Sequence, residues 1–245
     1  MVSDVKVLAI IPARGGSKGI KDKNIKRLSG APLLSYSIEA AVRSQIITKI
    51  ICSTDSKDIA NVAKKFGAEV PFFRPKEISQ DTSTDIEYCL HAIEWLQENE
   101  SYTPDLIIQL RPTSPLRTIK MIEDAIMIMI NNSSYDSLRA ISEPDHTPYK
   151  MWKLLEKNKM EQLLYLKDII EPYNMNRQLL PKTYAQTGSI DITRTRTITE
   201  QNSMTGRNIY PYIIDEKYFI DIDTIESLEL AELRMKRIDC IKFSQ

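Results

Sequence analysis

Short apolar segments alternate with amphipathic helical patterns through residues 5–130, and this alternation restricts the fold more than any other feature of the chain. The first segment, VKVLAII at 5–11, is rich in β-branched residues and is followed by Pro12, which is typical of a strand buried on both faces. The predicted strands are 5–11, 46–53, 70–73 and 106–110, and the predicted helices are 33–42, 59–66, 86–96 and 119–130. Buried strands joined by helices belong to parallel sheets with right-handed crossovers. The sequence therefore predicts an α/β fold with a doubly wound, mostly parallel sheet.

The pattern changes after residue 142. Residues 145–183 have weak apolar periodicity, frequent prolines and apolar side chains with no obvious core to join, which indicates an inserted arm. Further strands are predicted at 189–193, 209–215 and 218–223, and a last helix follows with basic residues in its final turn. We expect a single domain over 1–245 that carries this arm.

The composition excludes several classes of protein. The 245 residues include 33 Lys+Arg and 33 Asp+Glu, so the net charge is zero and no overall field attracts a nucleic acid or an anionic membrane. Three Cys and two His form no cluster, which fits neither a disulfide framework nor a zinc site. No apolar run approaches the length of a membrane span, and no targeting segment is recognisable. We expect a soluble, cytoplasmic protein without a nucleic-acid or membrane partner.

A glycine-rich loop follows the first predicted strand. Three of the seven glycines lie within 15–19, and glycine lets backbone N–H groups turn toward one point. A loop after the carboxyl end of a central strand is where open α/β sheets bind ligands. Six basic residues accompany the loop against the single acid Asp22: Arg14, Lys18, Lys21, Lys23, Lys26 and Arg27. The loop matches neither the P-loop nor the dinucleotide spacing. It favours phosphate binding, and the alternative is a solvent turn followed by a solvated basic stretch.

Two acids lie in the predicted strand at 218–223. Asp221 and Asp223 are two residues apart, so both carboxylates are expected on one face while Ile222 faces the core. Such a pair could hold Mg²⁺, with water and phosphate oxygens completing the coordination. The alternative is a pair of solvated acids at a strand end. The loop at 109–117 (QLRPTSPLR) is expected at the same edge of the sheet, where two prolines stiffen it. Its alternative role as a structural strand-to-helix connection is compatible with Gln109 pointing into a pocket.

Five segments together resemble one known family. They are IIPARGGSKGIKDKN (10–24), ICSTDSKDIANVAKKFGAEVPFFRP (51–75), QDTSTD (80–85), LIIQLRPTSPLR (106–117) and FIDIDT (219–224). In this order and spacing, the sequence resembles the acylneuraminate cytidylyltransferases, which make CMP-sialic acid and its activated relatives. The resemblance covers most of the chain. It implies a Rossmann-like nucleotidyltransferase fold, CTP and an acidic sugar as substrates, Mg²⁺ as cofactor, and a homodimer in which the arm reaches across to the partner's sugar site.

The resemblance also implies roles for individual residues. Arg14, Ser17 and Lys23 match positions that hold the CTP phosphates, with Arg14 and Lys23 counted as catalytic. The predicted nucleotide site is completed by Ala13, Gly15, Gly16, Asn24, Arg74, Asp81, Thr82 and Asp85. Gln109 and Gln186 are predicted to contact the sugar, Arg177 to approach its carboxylate, and Asp221 and Asp223 to be catalytic metal ligands. Two departures stand out: Asp85 replaces a serine of some sialic-acid members, and YAQTGSIDI replaces a more usual pattern ending in NGAIYI.

The implied chemistry is attack of the sugar's anomeric hydroxyl on the α-phosphorus of CTP, with pyrophosphate leaving. His91 falls inside a predicted helix and His146 at the start of the arm. Metal activation of the hydroxyl is therefore favoured over a side-chain base, with His146 as the alternative. Two other functions stay open: nucleotidyl transfer to another acceptor, such as a sugar 1-phosphate or a phosphonate, and a non-catalytic nucleotide-sugar binding module.

Overall fold

The computed structural model describes residues 4–243, and a six-stranded sheet forms its centre. The strands are β1 (Val7–Pro12), β2 (Arg27–Leu28), β3 (Ala31–Pro32), β4 (Lys49–Ser53), β5 (Leu106–Gln109), β6 (Ser137–Ser142), β7 (Trp152–Leu154), β8 (Met160–Gln162), β9 (Ala185–Arg194) and β10 (Ile209–Ile213). The helices are α1 (Leu33–Arg43), α2 (Lys57–Lys65), α3 (Asp85–Glu100), α4 (Ile119–Asn131), α5 (Thr195–Thr199) and α6 (Ile225–Arg237).

The strand order in the main sheet is β10-β6-β9-β5-β1-β4. β1 pairs in parallel with β4 and β5, and β10 pairs in parallel with β6. Only β9 in this sheet runs antiparallel to its neighbours, β5 and β6. The predicted mostly parallel α/β sheet is therefore confirmed, with one reversed strand inserted near its middle.

Apolar side chains of β1 are buried on both faces of the sheet. Val7, Ala9 and Ile11 belong to a core shared with α1, α2, α4 and α6. Leu8 and Ile10 face the opposite side and pack with α3 and α5. A near-continuous apolar strand is thus stable here because helices cover both of its faces.

Two predicted strands are wrong. Residues 70–73 form no strand; only Glu69 makes a bridge, to Ile51 of β4. Pro71 has no N–H to continue that ladder. Residues 218–223 also form no strand, and the Ile222 N–H instead donates to the Thr113 carbonyl at 2.9 Å, in the loop after β5. The first residue of this segment ends a 3-10 turn over Glu216–Tyr218, and Ile222 pairs with a loop rather than with the sheet.

The segment 145–183, which we predict to be an inserted arm, consists of short 3-10 turns and the hairpin formed by β7 and β8. Trp152 packs against Tyr173 with ring centroids 4.4 Å apart. Many other apolar side chains of the segment are exposed, including Leu154 at 82% and Ile170 at 89%. None of the helices formed by residues 4–243 combines the length and apolar character that crossing a membrane requires.

Candidate active site

A cavity of about 380 Å³ opens beside the carboxyl ends of β1 and β5. This is the edge at which parallel α/β sheets bind ligands, because the loops leaving adjacent strands converge there. The cavity is lined by the glycine loop, the segment before α3 and the loop after β5. Its lining residues are Pro12, Arg14, Ser17, Lys18, Gly19, Lys23, Asn24, Arg74, Gln80, Asp81, Ser83, Asp85, Tyr88, Arg111, Pro112, Thr113 and Asp223.

Three cations of the glycine loop line the cavity, and each is paired with a carboxylate. The Arg14 guanidinium lies 2.6 Å from Asp81, and the Lys18 ammonium contacts the other oxygen of the same carboxylate. Hydrogen bonds from Lys18 and Arg14 lower the pKa of Asp81 below its usual range. Lys23 Nζ lies 2.7 Å from Asp223 Oδ1. The cations are therefore held at the cavity by exchangeable partners, which a phosphate group can replace.

Gly19 is in close contact with the segment that carries Asp223. A Cβ built at position 19 would lie 2.3 Å from the Asp223 carbonyl oxygen. The Asp223 backbone is itself fixed, because its N–H donates to Ser227 Oγ at 3.1 Å at the start of α6. Only glycine lets the loop approach this carbonyl so closely.

The opposite wall of the cavity is formed around Arg74. Its side chain is buried, its Nε and Nη2 donate to Oγ and the carbonyl oxygen of Ser53, and its guanidinium lies 4.7 Å from the Tyr88 ring centroid. Burial lowers the pKa of Arg74 from its ordinary value. Asn24 is buried as well, and its side chain donates to the Arg14 carbonyl at 3.0 Å. These contacts give the wall a rigid, polar surface.

A second cavity, of about 390 Å³, adjoins the first. Arg111, Thr113 and Asp223 line both, and the other lining residues are Ser114, Gln186, Thr187, Gly188, Phe219 and Asp221. Two ligands could thus be bound side by side, with their reacting ends near the three shared residues.

Asp221 and Asp223 both line the second cavity, while Ile222 between them is fully buried. The predicted alternation therefore exists, although the segment is not a strand. Among the described residues, no group of three or more His, Cys, Asp or Glu side chains could hold a metal ion. Two carboxylates beside a phosphate-type cavity still fit Mg²⁺, because this ion is commonly bound by one or two carboxylates plus substrate phosphates and water.

Arg111 has charged partners that the sequence does not reveal. Its Nη2 lies 2.5 Å from Asp85 Oδ2 and 3.3 Å from Asp191 Oδ2. Arg139 lies 3.8 Å from the other oxygen of Asp191, which is 1% exposed, and Gln186 Nε2 donates to the same carboxylate at 3.2 Å. In the sequence, the signal for this network is the basic residue Arg111 in the loop after β5. Asp85 and Gln186, which the sequence predicts as contacts of two different substrates, are both members of this network.

The remaining predicted site residues are not all in these cavities. Gly15 and Gly16 line a smaller neighbouring cavity, and Gly15 N–H donates to Asp55 Oδ1 at 2.7 Å. Ala13 is buried in the core and Thr82 is exposed, and neither lines the main cavity. Gln109 is buried and donates to the Tyr88 hydroxyl at 2.5 Å.

Arg177 lies elsewhere in the chain, in a separate cavity of about 340 Å³. Its guanidinium donates to the carbonyls of Pro144 at 2.7 Å and Asp145 at 3.1 Å. Within one chain, Arg177 therefore lines neither of the two adjoining cavities.

A cationic glycine loop at the carboxyl edge of a mostly parallel sheet, next to a second polar cavity, is suited to bind a nucleotide beside a second ligand. The family described as "Cytidylyltransferase" matches residues 8–236. The chain belongs to this family, and it is a nucleotidyltransferase of the cytidylyltransferase class.

Characterised relatives carry more specific names. The chain is 34% identical over 233 residues to a pseudaminic acid cytidylyltransferase of Campylobacter jejuni, covering 95% of this chain and 97% of that protein. It is 31% identical to a CMP-N,N'-diacetyllegionaminic acid synthase of Legionella pneumophila, with the same coverage. An N-acylneuraminate cytidylyltransferase of Escherichia coli is 31% identical over 92% of this chain and 51% of its own length.

Solved structures confirm the fold. A CMP:2-keto-3-deoxy-manno-octonic acid synthetase complexed with CTP superposes with a TM-score of 0.68 at 15% identity, covering 95% of this chain and 99% of that one. A 4-diphosphocytidyl-2C-methyl-D-erythritol synthase from Anaerococcus prevotii superposes with a TM-score of 0.64 at 12% identity, with the same coverage.

Proposed function

We propose that this cytidylyltransferase transfers the CMP group of CTP to an acidic nonulosonic sugar. The observation that carries the proposal is the pair of adjoining cavities that share Arg111, Thr113 and Asp223. The first offers phosphate-binding cations and a polar wall for a base and ribose, and the second offers polar side chains for an acceptor. Relatives named for pseudaminic, legionaminic and N-acylneuraminic acids support an acidic sugar as that acceptor.

The reaction forms one bond and breaks one. The anomeric oxygen of the sugar bonds to the α-phosphorus of CTP, the bond from that phosphorus to the bridging oxygen of the β-phosphate breaks, and the hydroxyl proton passes to solvent. Arg14, Lys18 and Lys23 offset the charge that develops on the departing pyrophosphate. The shared wall holds the acceptor next to the α-phosphate, and this positioning supplies much of the rate.

Asp221 and Asp223 would hold Mg²⁺. Bound there, the ion supplies charge neutralisation for the phosphates and acidifies the acceptor hydroxyl. Lys23 Nζ lies 2.7 Å from Asp223 Oδ1, so this carboxylate is placed to contact a positively charged group. Neither histidine lines either of the two adjoining cavities; His91 instead packs against Phe72, with ring centroids 4.5 Å apart.

The test is pyrophosphate release from CTP with a panel of acceptors. The panel includes pseudaminic, legionaminic and N-acylneuraminic acids, together with sugar 1-phosphates and a phosphonate. We expect turnover with one or more of the acidic nonulosonic sugars and none with the sugar phosphates. Turnover confined to a sugar 1-phosphate or a phosphonate would contradict the proposed acceptor, and CTP binding without any turnover would indicate a binding module.

Asp221→Asn and Asp223→Asn should each abolish pyrophosphate release while CTP still binds, because an amide is a poor Mg²⁺ ligand. Asp124→Asn is the matched control, since Asp124 forms an exposed ion pair with Lys120 on α4 and lines neither of the adjoining cavities. Activity of Asp221→Asn or Asp223→Asn within a few-fold of the control would disprove the metal role.

A further inference from the structure

Arg111 occupies the wall between the two cavities, and it is the only cationic side chain that lines both within the described chain. It is partly exposed, at 28% of its side-chain surface. Three hydrogen bonds fix its backbone carbonyl, from Arg117 Nη2 at 2.9 Å, Ser37 Oγ at 3.2 Å and the Ser114 N–H at 3.2 Å. The loop therefore holds this guanidinium in a defined place.

Positive charge exceeds negative charge in the buried network to which Arg111 belongs. Arg117 is fully buried and Arg139 nearly so, and together with Arg111 they face two carboxylates, Asp85 and Asp191. Arg117 is close enough to Asp191 for their charges to interact, but its own hydrogen bonds go to neutral oxygens. Within this network three guanidinium groups face two carboxylates, which leaves one positive charge in excess. The other carboxylates of the second cavity, Asp221 and Asp223, are the proposed Mg²⁺ ligands. A charge shielded from water is stable only when it is paired, so this wall is suited to receive one further anion.

Gly188 leaves one side of Arg111 open toward the second cavity. Its backbone has a φ of +65°, and a Cβ there would lie 3.2 Å from Arg111 Cδ and 3.4 Å from Arg111 Nε. The Arg111 hydrogen bonds within the described chain use Nη1 and Nη2, so Nε has no partner among these residues. The Arg111 Nε–H lies next to Gly188, which lines the second cavity. It is therefore a free hydrogen-bond donor that a ligand in this cavity can reach.

We propose that Arg111, held by Asp85 and Asp191, binds the carboxylate of the acidic acceptor and determines the preference for an acid. This inference rests on the proposed function. The phosphates of CTP already have Arg14, Lys18 and Lys23 at the glycine loop, whereas Arg111 is the cation that faces the acceptor cavity. Asp191 lies in the segment QTGSIDI, whose Gln186, Thr187 and Gly188 line the second cavity, and it supplies a carboxylate that orients Arg111.

The experiment compares one acidic sugar with its carboxamide analogue in each enzyme variant. The acid is the panel member that the wild type uses best, and the readout is the ratio of the two kcat/KM values. A ratio within one variant cancels any general loss of folded enzyme or of CTP binding. In the wild type we expect the acid to be preferred about 10- to 100-fold, which corresponds to hydrogen bonding between charged groups.

In Arg111→Gln we expect this preference to fall to within about threefold of unity, because the remaining contacts do not distinguish acid from amide. Arg111→Lys should keep part of the preference, since it retains the charge but not the planar fork. Arg43→Gln is the control for loss of an exposed arginine, because Arg43 pairs with Glu39 on α1.

An unchanged ratio in Arg111→Gln would overturn the inference while the proposed function stands, and an accompanying rise in the KM for CTP would assign Arg111 to the nucleotide. Loss of the preference only in Arg177→Gln would also overturn it and would favour a carboxylate contact from the arm. If the wild type uses no acidic sugar, the proposed function itself fails. A collapse of the ratio in Arg111→Gln, with the Arg43→Gln ratio unchanged, is the result we expect.

Discussion

Replacing Gly19 with alanine tests how closely the glycine loop must approach the segment that carries Asp223. The new Cβ would lie 2.3 Å from the Asp223 carbonyl oxygen, whereas carbon and oxygen in close contact are about 3.3 Å apart. One of the two backbones must therefore move by about 1 Å. The hydrogen bonds from Ile222 N–H to Thr113 and from Asp223 N–H to Ser227 hold one side, so we expect the glycine loop to shift.

A shift of this size moves Ser17, Lys18 and Lys23 relative to the carboxylates across the cavity. Misplacement of catalytic groups by about 1 Å is worth on the order of 100-fold in rate. We therefore expect Gly19→Ala to lower kcat for pyrophosphate release about 100-fold. Steady-state kinetics with CTP and the preferred sugar measure this, and thermal unfolding of the same sample shows whether the fold is retained.

Gly15→Ala is the matched control in the same loop. A Cβ at position 15 would lie 3.5 Å from Ser56 Cβ, which is an ordinary contact, so we expect a small effect. If Gly19→Ala stays within about threefold of Gly15→Ala, the close contact does not position the loop and the reasoning fails.

Three further predictions concern the base, the arm and the pH. CTP should be preferred over ATP and GTP at least about 100-fold in pyrophosphate release, because a site that pairs one base's polar edge rejects bases that leave its groups unpaired. Wild-type protein should be a dimer by light scattering, and Leu154→Lys with Ile170→Lys should yield monomers, because these exposed side chains of the arm need cover. Burial alone would raise the pKa of Asp85, but hydrogen bonds and charge from Arg111 lower it overall. The pairing therefore stabilises the fold above the ordinary carboxyl pKa of about 3.9 and is lost as the pH falls through the lowered value. Asp85→Asn should lower Tm at pH 7, and this deficit should shrink near about pH 3.

Each of these three predictions has a result that would contradict it. Equal rates with GTP would point to a base site of different chemistry. A wild-type monomer in solution would remove the dimer. A Tm deficit of the same size at both pH values would show that the ionised form of Asp85 contributes no stability.

Most strands and helices could be predicted because the spacing of apolar residues over a few positions differs between the two. β1 and α1 agree with the apolar runs, and β9 agrees with its predicted core at 189–193. The failures at 70–73 and 218–223 both concern pairing, because a segment becomes a strand only where a partner strand exchanges hydrogen bonds with it. Pro71 lacks the N–H for such a ladder, and Ile222 has its partner in a loop. The partner of Ile222, for example, is Thr113 in a loop. The chain topology, rather than the local sequence, decides whether such a partner lies in a strand or in a loop.

The cationic glycine loop and the Asp221/Asp223 pair could also be predicted from the local sequence. Clustered glycines let backbone N–H groups converge, and acids two residues apart lie on the same side of an extended segment. The partners of these charged residues could not be predicted in this way. Lys23 meets Asp223 across 200 residues, and Arg111 meets Asp191 across 80. Such pairs form because loops leaving different strands converge at one edge of the sheet. Local sequence thus predicts most of the strands and helices, and the phosphate-type loop. The packing of those segments alone decides which charges face one another, since Coulomb energy depends on distance in space and not on separation along the chain.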